Sequence, residues 1–174
     1  MEQAEGMRRE LQSPAYPDDD GAVPDEVAAA LTTYAAAPGD ATAYAGVVAA
    51  LQRSRLLVPV VAVLGEAEVD DRGLTHDKSS EMAAVLLTGA DGRLALLAFT
   101  GTEALAAWDP QARPVPVLSQ LAAQSAIQED AAAVVVDVAG PVTVVIQGED
   151  LRGLAAGWVL AEVGGRPAWV RPTD

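Results

Sequence analysis

Apolar positions along this chain fall into blocks, and the spacing within each block predicts a different element. Val27, Leu31 and Tyr34 recur at i, i+4 and i+7, one face of a helix. Pro24 suits the first turn of that helix, and Asp25 and Glu26 complement its positive end. Pro38-Gly39 stops it. Asp40 then caps a second helix, in which Tyr44, Val47, Val48 and Leu51 follow the 3.6-residue period to about Ser54. Leu56 to Leu64 is a short valine-rich run and predicts a buried strand. Pro59 has no ladder donor and places that strand at an edge or a bulge.

The block from Glu81 to Trp108 is the most informative. Met82–Thr88 and Arg93–Phe99 flank Gly89-Ala90-Asp91-Gly92, whose Asp-Gly pair supplies the positive backbone angles of a hairpin turn. Near-continuous apolarity in both arms predicts that both faces are covered and that the hairpin is central. Thr100 and Glu103 have capping-box spacing and predict a short helix ending by Trp108-Asp109-Pro110. Pro114 and Pro116 mark an extended connection, and Leu118, Leu121 and Ala122 a further helix to about Gln128. Ala132–Val136 and Val142–Ile146 read as another buried strand pair turned at Ala139-Gly140-Pro141, and Glu149 and Asp150 open a last helix. The expected fold is α+β: a single domain with a mixed, largely antiparallel sheet of about five strands covered by helices.

Three regions follow. Residues 1–23, with Pro14, Pro17 and Asp18-Asp19-Asp20 and few large apolar side chains, are expected to form a disordered acidic tail. Residues 24–157 form the α+β domain, and 158–174 a C-terminal arm or a small hairpin around Gly164-Gly165. The polar stretch 65–80 is long for a loop in a compact domain, and such loops are usually functional or mobile.

Charge narrows the partners. The net charge is -14, with 25 acidic against 11 basic residues, a field that repels phosphate backbones and anionic membranes. No nucleic acid and no membrane partner is expected. The opening MEQAEGMRRE lacks the order of a signal peptide, and no apolar run reaches a membrane span. Cysteine is absent, which excludes disulfides, thiolate metal sites and a cysteine nucleophile, and fits a cytoplasmic location.

The blocks LLVPVVAV from Leu56, KSSEMAAVLLTGADGRLALLAFTGTEALAAW from Lys78, RPVPV from Arg113 and VVVDVAGPVTVVIQGEDLRGLA from Val134 together resemble the N-terminal domain of the SseB family over about residues 40–156. The likeness is to the actinobacterial single-domain type. Asp137-Val138 departs from the Asn-Pro or Asp-Pro common in relatives at the late turn. The resemblance implies a fold but no activity, and it supplies no catalytic or binding residues.

Candidate chemistry is sparse. His76 with Asp70, Asp71 and Asp77 matches no metal-ligand spacing, and no metal or other cofactor is expected. Ser79 and Ser80 near His76 lack a nucleophile elbow, and adjacent acids such as Glu66 and Glu68 read as solubilising charge. Neither a P-loop nor a dinucleotide fingerprint is present. No catalytic residue is assigned. Lys78 and Ser79, with the helix start Thr100-Gly101-Thr102 and its free N–H groups, are the candidate ligand-binding residues. Trp158 and Trp169 are the candidate interaction anchors. The expected function is a non-enzymatic binding or interaction module with a protein partner or self-association through a sheet edge or the C-terminal arm. The alternative is a small-ligand sensor or enzyme using the 65–81 loop and the helix start at Thr100.

Overall fold

The structure, a computed structural model, describes residues 16–63 and 81–173. Helix α1 (Asp25–Ala36) follows Pro24 and buries Val27. Helix α2 (Ala41–Gln52) is capped by Asp40, whose carboxylate accepts the Ala43 N–H at 2.7 Å, and buries Val47, Val48 and Leu51. Strand β1 (Arg55–Val63) pairs antiparallel with β2 (Glu81–Ala84) on one side and β5 (Arg113–Leu118) on the other. A second sheet runs in the order β3 (Leu86–Thr88), β4 (Leu94–Ala98), β6 (Ala133–Val136), β7 (Val144–Gln147). Only β4–β6 is parallel among the described pairs. Helices α3 (Thr102–Trp108) and α4 (Ser119–Gln128) lie in the crossover between β4 and β6, and α5 (Gly148–Ala155) follows β7. The chain is α+β, with its strands divided among three sheets where one of about five was expected.

The first two sheets meet at one bridge. Leu57 and Phe99 exchange backbone hydrogen bonds of 2.8 Å in each direction. The hairpin expected to be wholly central is corrected here. Its first arm breaks at Val85, whose N–H donates to Pro59 O at 3.2 Å while its carbonyl accepts from Leu97 N at 3.1 Å. The arm is thus handed from β1 to β4, and its halves β2 and β3 are each the edge of a sheet. Apolarity alone does not separate a central strand from one that changes partner. β4 is the central strand. Leu96 and Ala98 enter the main core with Leu51, Val134, Val136 and Ile146, while Leu97 and Phe99 enter a second cluster with Leu57 and Leu105. Trp108 of α3 covers Phe99, ring centroids 5.6 Å apart. The late strand pair also differs from expectation: β7 alternates, burying Val144 and Ile146 and exposing Val145 and Gln147, because it is an edge.

Pro59 lies in the middle strand of its sheet, not at an edge. Backbone groups alternate sides along a strand, so Pro59 faces the same side as Leu57. Its missing N–H therefore falls in the gap between the Phe99 bridge and β2. Pro116 and Pro114 oppose Leu57 and Pro59 in pairs whose backbone groups point away from each other. Their missing donors face outward and blunt the β5 edge against strand addition.

Asp19, Gly21 and Ala22, within the stretch expected to form the tail, are bonded to the body. Asp19 accepts the Gly21 N–H at 2.8 Å and pairs with Arg55, and Gly21 O accepts the Thr102 N–H at 2.8 Å. Residues 1–15 lie outside the described residues. At the other end, β8 (Val159–Val163) and β9 (Arg166–Val170) form a hairpin turned at Gly164-Gly165.

Candidate functional site

A polar chain runs through one side of the body. Arg55, 7% exposed, donates from Nε to Asp19 Oδ2 at 2.5 Å, from Nη2 to Asp19 Oδ1 at 3.0 Å and to Ala22 O at 2.6 Å, and from Nη1 to Thr100 O. The Arg55 hydrogen bond holds the Asp19 carboxyl below its ordinary value. On the far side of Thr100 lies Asp137, 3% exposed, whose Oδ1 accepts the Thr100 N–H at 2.8 Å and whose Oδ2 accepts the Thr100 hydroxyl at 2.6 Å. Asp137 adopts φ 55, a left-handed conformation that aspartate tolerates better than most residues. Burial pushes its carboxyl up, against the two Thr100 hydrogen bonds, so desolvation is the larger effect.

Thr100 and Asp137 adjoin a cleft of about 540 Å³ between α1, α3 and the 137–142 turn. Leu31, Ala104 and Val142 are among its apolar lining, Thr100 and Asp137 are polar lining residues, and Glu103 is exposed to solvent. Among the described residues, the lining contains two carboxylates and no Arg, Lys or His.

Sequence reasoning placed Thr100 and Glu103 in a capping box, and the structure corrects this. α3 begins at Thr102 behind Gly101, with no side-chain cap, because Asp137 takes the Thr100 hydroxyl. The Thr102 N–H, which an anion there would use, goes to Gly21. Gly101 permits this close approach: a Cβ there would lie 2.8 Å from Val23 Cγ2 and 3.2 Å from Gly21 O. Thr100, Gly101 and Thr102 are therefore together, bonded to Asp137 and to the Gly21 segment. Lys78 and Ser79, with His76 and most of the 65–81 loop, lie outside the described residues. Asp137 and Arg55 were missed as site residues. The only signal for them was a charged residue inside or beside an otherwise apolar strand.

The C-terminal hairpin has two unlike faces. Alternation places Trp158, Leu160, Glu162, Pro167 and Trp169 on one face, and Val159, Ala161, Val163, Arg166, Ala168 and Val170 on the other. The first face is pinned to the body. Trp169 Nε1 donates to Asp150 Oδ1 at 2.8 Å, and its indole lies against Gly153, where a Cβ would come within 2.3 Å of Cδ2. Gln52 grips the start of β8, donating to Trp158 O and accepting the Leu160 N–H at 3.2 Å. The Arg171 guanidinium lies 5.5 Å from the Trp158 ring centroid. Trp158 and Trp169 are thus both half-buried and engaged within the chain. The opposite face is open: Val159, Val163 and Val170 are 47%, 56% and 42% exposed.

Residues 27–153 match the SseB protein N-terminal domain, which is most of the chain. The chain belongs to the SseB family. The match ends just before the hairpin, so the valine face lies beyond the matched residues. No curated protein and no solved structure matches the chain. Among the described residues, no helix is long and apolar enough to cross a membrane.

Proposed function

We propose that this SseB-family protein is a non-enzymatic interaction module that docks a protein partner on the outer face of its C-terminal hairpin. The observation that carries this reading is the run of exposed valines, Val159, Val163 and Val170, on a ribbon whose other face is held rigidly by Trp169 and Gln52. Exposed apolar side chains gathered on one face of a two-stranded ribbon mark a docking surface more than scattered ones do. Rigid support lowers the ordering cost of association.

The partner is a protein with an apolar stripe and a basic rim. Two copies of a chain carrying -14 repel each other, whereas a basic surface is attracted. The blunted β5 edge also disfavours self-association by strand addition. In this reading the two half-buried tryptophans, named above as interaction anchors, position the ribbon from behind. A chain without cysteine suits action in the cytoplasm.

The test is a triple variant, Val159→Ser with Val163→Ser and Val170→Ser, used with the unaltered chain to capture proteins from the native host. Exposed substitutions of this kind change stability by only about 0.5 kcal/mol. A specific basic partner retained by the unaltered chain and lost by the folded triple variant supports the assignment. Equal retention by both would refute it.

A further inference from the structure

The cleft beneath Asp137 has a chemistry that the interaction surface does not use. Its size falls within the range of small-molecule sites, about 300–1,000 Å³. Its walls are small and apolar: Ala28 and Leu31 from α1, Ala104 and Ala107 from α3, and Pro141 and Val142 from the late turn. Asp137, among the lining residues, is almost wholly removed from solvent. Thr100 supplies one hydrogen bond to each of its oxygens, and a carboxylate oxygen can accept a second. Among the described residues, no cationic side chain lines the cleft to balance that charge. The buried cation of this region, Arg55, is spent on Asp19, Ala22 O and Thr100 O. Glu103 adds a second negative charge to the lining.

From this we infer that the cleft binds a small organic ammonium ion, its N–H groups on the free lone pairs of Asp137 and its short hydrocarbon body against α1 and α3. Charge-assisted hydrogen bonds to a desolvated carboxylate are about twice as strong as neutral ones, so the ammonium group dominates recognition. The acidic lining excludes carboxylates and phosphates, and the alanines and Leu31 disfavour a bare hydrated metal ion. The inference stands independently of the hairpin, which shares no residue with this site.

The test titrates the full chain with n-butylammonium chloride and follows backbone amide resonances. Saturable shifts confined to Thr100, Ala104, Asp137 and Val142 are expected. Sodium chloride at equal concentration should leave them unmoved, and n-butanol should bind at least about tenfold more weakly. Asp137→Asn keeps the side-chain shape and should weaken n-butylammonium binding by about tenfold or more. Ala28→Phe, at an exposed lining position of α1, should block the site while leaving Asp137 in place. Linear, delocalised shifts, or equal affinity for butanol, would overturn the inference. So would undiminished binding by both folded variants. If Asp137→Asn does not fold, Ala28→Phe and the butanol comparison decide.

Discussion

Asp137 shows how burial and hydrogen bonding compete at one side chain. Desolvation raises its pKa while the Thr100 N–H and hydroxyl lower it, and desolvation wins. Relative to the unfolded chain, the folded state therefore holds the carboxyl proton more tightly. Its contribution to stability is full below the ordinary carboxylate pKa of about 4 and is lost as pH rises through the raised value. Asparagine removes that dependence. It can still accept the Thr100 N–H, donate to the Thr100 hydroxyl and tolerate φ 55. Urea unfolding at pH 7 should find Asp137→Asn at least as stable as the unaltered protein. Asp137→Ala, which strands both Thr100 groups, should lose about 1–3 kcal/mol. Equal losses in the two variants would show that the fold needs the charge itself. Asp19 behaves oppositely. Its carboxyl is lowered by the Arg55 hydrogen bond, so its contribution is present above the ordinary value and lost as pH falls through the lowered one. Acid titration of Asp19→Asn should show a flatter acid limb, and an unchanged limb would contradict the pairing. Neither acid was legible as a site residue in the sequence. Asp19 sits in a run of three aspartates, and the difference between it and Asp18 is a contact with Arg55 across 36 positions.

Among the elements, the local signals that the sequence states outright are the ones the structure repeats. Asp40 caps α2, and the Gly89–Gly92 turn joins β3 to β4 with Gly89 N bonded to Arg93 O at 2.8 Å. Elements that depend on a distant partner were less legible. The split at Val85 is set by Pro59 and Leu97, and the start of α3 by Asp137 and Gly21, none of which a local pattern contains. The attachment of the hairpin is of this second kind. Gly153 reads as a flaw in α5 until Trp169 is placed on it. Gly153→Ala would force the indole away and break its bond to Asp150. Hydrogen exchange should then show lost protection across residues 159–170, with β4 and β6 still protected. Protection retained in the hairpin would mean that Trp169 is not what holds it. The apolar character of β4 was legible in full, because a strand with helices over both faces needs no polar side.

At the scale of the whole molecule, the two tryptophans look inward and three valines look outward, a division decided by register. A shift of one residue in the β8–β9 pairing would exchange the faces. The sequence showed that the late segment was rich in large apolar groups, and alternation alone left open which set met the body. Gly153, Asp150 and Gln52 choose the face that carries Trp169 and Leu160. The consequence is an open apolar ribbon on an acidic molecule, and the function assigned to it depends on that face meeting another protein. The most direct check places a photo-crosslinking phenylalanine analogue at position 163 in the native host, with Asp91 in the distant β3–β4 turn as the control position. A discrete adduct with a different, basic protein is expected from position 163 alone, lost when Val159 and Val170 are changed to serine. An adduct at twice the chain mass, the same adduct from position 91, or no adduct from position 163 would contradict it.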